Sequence, residues 1–167
     1  MSTPMRSPSI VLALTCLLGL TILATPAAEA TRVPGCVAEH LAIARGPVQG
    51  ATGHRYDEFR ITNTGTTACR LFGYPTFRFI RDGQPVGWPS EQAGVPAHVV
   101  RLAPGAHTRT TVGTVNPMIP MNPPCRVQRA DAVRIRLAYR PHVYTVPIRI
   151  RVCTTKRYRP VAYPVGF

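Results

Sequence analysis

The chain has 167 residues, of which 20 are Lys or Arg and seven are Asp or Glu, so its formal net charge at neutral pH is +13. Its length is typical of one domain, and 45% apolar residues are enough to bury a core. The 18 prolines and 13 glycines stay below the share that is typical of disordered or collagen-like chains. Composition therefore excludes fibrous, coiled-coil and disordered proteins and predicts one basic globular domain.

The first thirty residues have the layout of a secretory signal peptide. Arg6 precedes an uncharged apolar run over residues 10–24, and Ala28 and Ala30 are the small residues that a cleavage site requires. We therefore expect cleavage after Ala30 and a location outside the cytoplasm, secreted or in the cell envelope. A retained membrane anchor is the alternative, although a span needs about 20 apolar residues. Cys16 lies in the middle of the run, without the spacing of a lipoprotein cysteine.

Four cysteines follow the signal, and an even number in an exported chain predicts two disulfides. They are Cys36, Cys69, Cys125 and Cys153. None of their spacings is the C-x-x-C of a redox or zinc motif. Three pairings are possible from the sequence. The pairing of neighbours along the chain would close two loops of roughly 30 residues, each worth about 3.5–4 kcal/mol in the chain-entropy model.

The first elements after the signal read mainly as short strands. Residues 36–45 are the one candidate for a helix, although ten residues are marginal on their own. Residues 54–63 alternate, with Phe59 and Ile61 on one side. This run ends in Asn63-Thr64-Gly65, whose residue types predict a tight connection with positive φ.

The middle of the chain continues with strands and turn signals. Residues 69–80 predict a strand that is interrupted by Gly73 and Pro75, and Asp82-Gly83 is the strongest hairpin signal of the chain. Residues 99–102 and 107–115 predict further strands. Residues 116–124 contain four prolines and predict an extended loop.

The clearest pair of strands comes last. Residues 132–139 and 146–152 each place an apolar side chain at every second position, with mostly arginines between them. Joined by a short turn, they predict an antiparallel hairpin with one apolar face and one arginine face. The four arginines, expected within about 5–8 Å of one another, are Arg134, Arg136, Arg149 and Arg151.

Seven to nine short strands without an established helix predict an all-β fold. Turn signals every eight to twelve residues or so are typical of an antiparallel β-sandwich. The sequence thus predicts a signal peptide over residues 1–30 and a single β-sandwich domain over residues 31–167.

One stretch of the chain resembles a known family. Gly53-His54-Arg55-Tyr56, Asn63-Thr64-Gly65 and Cys69-Arg70-Leu71-Phe72-Gly73-Tyr74-Pro75 resemble the actinobacterial exported proteins grouped as domain of unknown function 4232. Leu102-Ala103-Pro104-Gly105 and Cys153 also fit, so the resemblance covers nearly all of residues 31–167. It implies an immunoglobulin-like sandwich in the envelope or outside the cell. It implies no activity and no catalytic residues. Members often carry a lipoprotein cysteine that this chain lacks, which favours release.

Residues for catalysis are scarce in the domain. Ser90 is its one serine and lies in no nucleophile motif. Asp57 and Glu58 are neighbours, so on a strand they point to opposite faces and are interpreted as surface charges. We therefore predict that the protein is not an enzyme and uses no cofactor. Trp88 is interpreted as packing at an edge rather than as an exposed contact.

Metal binding is the alternative function. The proline-rich loop holds Met118 and Met121, and His98 and His107 lie upstream. Thioether and imidazole ligands suit Cu(I), so these residues could serve a copper carrier. The competing interpretation is that the loop packs on the sandwich edge and that Cys125 is in a disulfide.

The arginine face is the main candidate site. A guanidinium matches the geometry of phosphate and carboxylate, and Arg126, Arg129 and Arg140 are candidates to join the four. We predict a binding or structural module whose partner is an anionic envelope lipid or polymer, or an envelope protein. A solvated face in a basic chain is the alternative. Nucleic acid is not expected, because the chain is exported and lacks a recognition helix. The oligomeric state stays open.

Overall fold

The computed structural model describes residues 32–167, so the predicted signal peptide and its cleavage site lie outside the described part. The described chain is all-β, as predicted. Its strands are β1 (Leu41–Ala51), β2 (His54–Asn63), β3 (Cys69–Leu71), β4 (Thr76–Arg81), β5 (Gln84–Val86), β6 (Glu91–Gln92), β7 (Val100–Leu102), β8 (His107–Val115), β9 (Val127–Arg136), β10 (Val143–Cys153) and β11 (Val161–Ala162). Single 3₁₀ turns lie at Ala38–His40 and Lys156–Tyr158. The expected seven to nine strands become eleven, of which β6 and β11 have only two residues each.

The strands form two main sheets that pack face to face. One has the order β1-β2-β8-β11-β6 and the other has the order β10-β9-β4-β5, while β3 and β7 form a separate pair. All pairings are antiparallel except the short one between β11 and β6. Phe59 of the first sheet meets Phe77 of the second, with ring centroids 5.5 Å apart. The arrangement is a β-sandwich-like fold.

Alternation along the strands builds the core. Phe59 and Ile61 of β2 are fully buried, as are Val133 and Ile135 of β9. Burying an aliphatic or aromatic side chain of this size contributes about 1.5–3 kcal/mol relative to exposure. The side chains between them point outward, so each sheet has one inner and one outer face.

The helix considered for residues 36–45 does not form. Ala38–His40 makes one 3₁₀ turn, and β1 begins at Leu41. From there β1 pairs with β2, with Leu41 opposite Asn63 and Arg45 opposite Phe59. Pairing with a buried neighbour outweighs the helical spacing of a ten-residue segment, which is marginal in isolation.

Both predicted turns form, but only one has the predicted backbone conformation. Asp82 and Gly83 have φ of 49° and 76° and close the hairpin between β4 and β5, as predicted. Asn63 and Gly65, in contrast, are not among the described residues with positive φ. Gly65 packs closely on His40, since a Cβ there would lie 3.0 Å from the ring. The role of Asn63 lies in its side-chain amide.

Two disulfides join neighbours along the chain, Cys36 to Cys69 and Cys125 to Cys153. Their Cα atoms are 4.7 Å and 5.5 Å apart. Disulfides are typical of an oxidising compartment outside the cytoplasm.

No helix among residues 32–167 has the length and apolar character of a membrane span.

Candidate functional site

The arginine face is the outer surface of the four-stranded sheet. β9 and β10 pair as the predicted hairpin and bury their apolar side chains. The four arginines between those side chains are all exposed on the other face, as predicted: Arg134, Arg136, Arg149 and Arg151. The period-two pattern thus identified which side of the hairpin faces water.

The expectation that these four arginines are mutual neighbours is wrong. Arg134 lies opposite Thr145, and Arg149 lies four residues further along β10, or about 13 Å at the usual rise of a strand. The turn between β9 and β10 spans residues 137–142, and the register shifts between Pro147 and Ile150. Both features offset the arginines of one strand from those of the other.

The register instead creates two arginine groups, each joining a different pair of strands. Arg134 lies directly opposite Arg78 of β4, with Arg136 next on β9; we call these three the first arginine group. Directly opposed side chains on antiparallel strands have Cβ atoms about 4.5–5.5 Å apart. The Nη2 of Arg134 also donates to the carbonyl oxygen of Gly83, at 3.4 Å.

The second arginine group lies nearer the far end of the hairpin. Arg151 is opposite Arg129, and Arg149 is next on β10. These three border a cleft with Arg81, Asp82 and Asp131. Arg129 therefore joins the face, as the sequence suggested.

Neither of the two other arginines proposed for the face borders the cleft of the second arginine group. Arg140 is in the β9–β10 turn, where its guanidinium packs against Gly35 and borders a groove with Arg70. Arg126 precedes β9, and its backbone N–H donates to the Thr155 hydroxyl at 3.0 Å.

Few carboxylates neutralise the arginine face. Asp131 accepts a hydrogen bond from the backbone N–H of Asp82 at 2.9 Å, and Asp82 lies 3.4 Å from Arg81. Among residues 32–167, none of the six arginines in the two groups forms an ion pair with a carboxylate. Like charges this close on one sheet face repel each other unless anions gather over them.

The interpretation of Asp57 as a surface charge is wrong. Its side chain is 1% exposed and accepts hydrogen bonds from Arg45 at 2.8 Å and from Arg55 at 2.7 Å and 2.9 Å. The hydrogen bond to Asp57 and its negative charge raise the pKa of Arg55, against the effect of burial. The signal was present in the sequence, since Asp57 has the same parity as Phe59 and Ile61. We interpret the cluster of the buried Asp57 with Arg45 and Arg55 as structural.

The residues of the copper hypothesis are not brought together. His107 starts β8 and the methionine loop follows the other end, about 26 Å away at the usual rise of a strand. His98 packs on Gly166, and Met121 borders a cleft beside His54. The Met118 side chain is 65% exposed, and its sulfur lies 3.3 Å from Nη1 of Arg151. Within the described part of the chain, no three His, Cys, Asp or Glu side chains converge as a metal site.

A second surface feature was missed by the sequence reasoning. On the outer face of the five-stranded sheet, the rings of Tyr56 and Tyr163 meet edge to face with centroids 6.1 Å apart, and Phe167 stacks on Tyr163 at 4.5 Å. Burial raises the pKa of the Tyr163 hydroxyl, with Tyr56 contributing. We call the cleft between these tyrosines and the proline-rich loop the aromatic cleft. Its residues come from β2, β6, β8 and β11, from the 3₁₀ turn at Lys156–Tyr158 and from loops, so no local pattern reveals it.

Trp88 lies beyond one border of the aromatic cleft. The ring is 39% exposed, with the Lys156 ammonium 5.4 Å and the Arg159 guanidinium 5.0 Å from its centroid. Both distances are within the range of cation–π attraction. Arg159 also lines the aromatic cleft, so it connects the ring to that cleft.

Comparison with known proteins identifies a family. A family model described as Domain of unknown function (DUF4232) matches residues 36–162. No curated protein and no solved structure matches the chain.

Proposed function

Because the chain belongs to the DUF4232 family, whose description assigns no activity, we propose its function from its own surface. We infer that it is a non-enzymatic, exported binding module whose arginine face docks on phosphate- or carboxylate-bearing material of the cell envelope. One observation carries the proposal: six exposed or half-exposed arginines share one sheet face, and none has a carboxylate partner among residues 32–167.

The chemistry of the face favours an anionic ligand. Each guanidinium presents a planar fork of donors that matches two oxygens of a phosphate or carboxylate. The opposed pairs Arg78 with Arg134 and Arg129 with Arg151 place two forks side by side. An anion shared by such a pair relieves their repulsion as well as forming hydrogen bonds.

The spacing of the two arginine groups favours a ligand with repeated charges. They lie about 13 Å apart along β10, which exceeds the reach of a single phosphate. A polymer or a lipid surface engages both groups at once, and the second contact then forms at a high effective concentration. Export is supported by the signal-like residues 1–30 and by the two disulfides.

The test is binding of residues 31–167 to two anionic probes, soluble polyphosphate and vesicles that contain an anionic phospholipid. We expect binding to both at low salt and at least a tenfold loss of affinity near physiological salt, where the Debye length is about 8 Å. Vesicles of neutral phospholipid should not bind. Binding of polyphosphate alone would assign the face to polymers, and binding of vesicles alone would assign it to membranes.

Charge reversal locates the binding surface. The face variant changes four arginines to glutamate: Arg134→Glu, Arg136→Glu, Arg149→Glu and Arg151→Glu. A control variant makes the same change of net charge at exposed arginines outside the face: Arg32→Glu, Arg60→Glu, Arg70→Glu and Arg101→Glu. We expect the face variant to lose binding and the control to keep most of it. Equal losses in both variants, or no salt-dependent binding of the parent protein, would overturn the proposal.

A further inference from the structure

We propose that the aromatic cleft binds a neutral hexopyranose unit of a glycan. The cleft lies on the outer face of the five-stranded sheet, whereas the arginine face belongs to the other sheet. The inference therefore goes beyond the proposed anion docking and is tested separately from it.

The floor of the cleft is a glycine. Gly113 of β8 lies between Tyr56 of β2 and Val161 of β11, its partners in the sheet. A Cβ at this position would lie 3.1 Å from Cε1 of Tyr56 and 3.6 Å from Cε2 of Tyr163. The two rings reach their positions over the sheet because no side chain occupies the floor.

The opposite wall is held in place by hydrogen bonds. The Tyr158 hydroxyl donates to the carbonyl oxygen of Pro123 at 2.9 Å and so ties the proline-rich loop to the domain. The side-chain oxygen of Asn116 accepts from the backbone N–H of Met118 at 3.1 Å, at the start of the same loop. Ile119 and Met121 then face the tyrosines across a cleft of about 510 Å³. This volume is within the range of about 300–1,000 Å³ that is usual for small-molecule sites.

The mixture of groups in the cleft matches a sugar. A pyranose has apolar C–H faces, which pack on aromatic rings, and a rim of hydroxyls that both donate and accept hydrogen bonds. The walls supply rings, and the rim supplies the carboxylate acceptor of Glu91 and the guanidinium donors of Arg157. Tyrosine is suited to such a site because it combines an apolar ring with a polar tip.

Other ligand classes fit the cleft less well. An anion would meet the carboxylate of Glu91, and the guanidinium of Arg159 is already held over the Trp88 ring. A cation would meet Arg157 and Arg159, and within the described residues no cluster of metal-ligating side chains is present. With Arg159 held over the Trp88 ring, the rim retains one carboxylate, Glu91, and one guanidinium, Arg157, and this pairing favours a neutral polar ligand.

The experiment uses residues 31–167 and a panel of neutral oligosaccharides built from glucose, mannose or galactose. Binding is measured by titration calorimetry and by the fluorescence of Trp88, the one tryptophan of the chain. We expect at least one oligosaccharide to bind with a dissociation constant below about a millimolar and to shift the Trp88 emission, because Arg159 connects the cleft to the ring. No heat with any of the three sugars would overturn the proposal.

Two glycine variants locate the site. Gly113→Ala fills the floor and displaces Tyr56, so we expect at least a tenfold loss of affinity. Gly50→Ala is the matched control, because a Cβ there meets nothing within 4 Å and neither glycine has positive φ. Tyr163→Leu provides a second test, with thermal unfolding as the check that it folds. Binding of the sugar by Gly113→Ala and Tyr163→Leu as tightly as by the parent would contradict the cleft assignment.

The anion proposal and the sugar proposal can each be tested independently of the other. The face variant with four arginines reversed should keep its affinity for the oligosaccharide, because none of those arginines lines the aromatic cleft. Gly113→Ala should in turn keep its affinity for polyphosphate. Loss of polyphosphate binding in Gly113→Ala would show that the cleft takes an anion instead, and would overturn the assignment of a neutral sugar.

Discussion

Arg55 and Asp57 form a two-point ion pair within one strand, with Nε to Oδ2 at 2.7 Å and Nη2 to Oδ1 at 2.9 Å. A third contact comes from Arg45 of the edge strand β1, at 2.8 Å. The carboxylate is 1% exposed, while the two arginine side chains are about one-third exposed. The Asp57 carboxylate therefore joins β1 to β2. Because water does not reach it, its charge is stabilised by the guanidinium groups of Arg45 and Arg55.

Asp57→Asn should destabilise the domain. The amide keeps the shape of the side chain but leaves two guanidinium groups without a negative partner. Breaking a buried pair costs about 3–5 kcal/mol, and the partial exposure of the arginines reduces the expected loss to about 2–3 kcal/mol. Urea unfolding at neutral pH measures this loss.

Glu58→Gln is the control for that experiment. Glu58 points to the outer face and lies 3.8 Å from Arg109, whose side chain is 62% exposed. The Glu58 side chain is 17% exposed, but its one partner is a guanidinium at 3.8 Å that is largely in water, so the pair contributes about 0–1 kcal/mol and this variant should unfold almost like the parent. Equal losses in the two variants would contradict the structural role of Asp57.

Asn63 closes the turn after β2 through its side-chain amide. The Nδ2 group donates to the carbonyl oxygens of Thr67, Leu102 and Ala103 at 2.9–3.2 Å, and Oδ1 accepts from the Gly65 N–H at 3.0 Å. Asn63→Asp removes the donors and sets a carboxylate against three carbonyl oxygens. We expect a loss of about 2–4 kcal/mol at neutral pH, since the buried carboxylate would keep one donor, the Gly65 N–H, and face three carbonyl oxygens.

The pH dependence of that variant gives a second measurement. Its carboxyl is more easily protonated in the folded state, so the folded state binds more protons and the stability of the variant should rise as the pH falls toward about 4. Asn116→Asp is the matched control, because only the oxygen of Asn116 is used, as the acceptor for Met118. A variant Asn63→Asp with the same urea midpoint as the parent would show that the amide network is dispensable.

Alternation was sufficient to predict the core and the side of each strand that faces water. It placed Phe59 and Ile61 inside and the four arginines of the last hairpin outside, because side chains on a strand change sides at every residue. The register between strands was not predictable. It depends on the six-residue turn after Arg136 and on the shift after Pro147, which no residue pattern encodes.

The same limit applies to sites built from distant segments. Tyr56 and Tyr163 are more than one hundred positions apart and meet only because β2, β8 and β11 are adjacent in one sheet. Asp57, by contrast, was predictable from its parity with Phe59, and the assumption that a carboxylate lies on the surface overrode that pattern. Burial of a charge requires partners, and Arg55 on the same strand was one of them.

The stability of the domain should fall above about pH 10, as the hydroxyl of Tyr144 ionises. Burial raises the pKa of Tyr144 above its ordinary 10.0, with the charge of Glu39 adding to the rise and that of Arg140 opposing it. The unfolded chain therefore loses this proton first. The contribution of Tyr144 to stability is complete below pH 10.0 and decreases above it, until the folded hydroxyl also ionises.

Tyr144→Phe tests this assignment. It removes the hydroxyl that donates to the carbonyl oxygen of Ala38 at 3.0 Å, so we expect a loss of about 1 kcal/mol at neutral pH and a weaker fall above pH 10 or so. Urea midpoints between pH 9 and about 10.8 measure both effects. Tyr139→Phe, at a side chain that is 86% exposed, should leave the curve unchanged. A curve of Tyr144→Phe as steep as that of the parent would assign the alkaline loss to other groups.

The two disulfides should differ in their contribution although their loops are similar in length. The sequence separations are 33 and 28, so the chain-entropy model gives each about 3.5–4 kcal/mol. Cys36 and Cys69 are 1% and 6% exposed and belong to the core cluster, whereas Cys125 is half-exposed and Cys153, at 6%, lies outside that cluster. Removing the first pair thus leaves a cavity in the core in addition to the lost cross-link. Cys36→Ala with Cys69→Ala should be less stable than Cys125→Ala with Cys153→Ala by about 1–2 kcal/mol, as measured by urea unfolding without reductant.

A thiol assay on the unfolded parent should find no free thiol among residues 31–167. Four reactive thiols, or a larger loss for the second pair, would contradict the cross-linked core from which this difference follows.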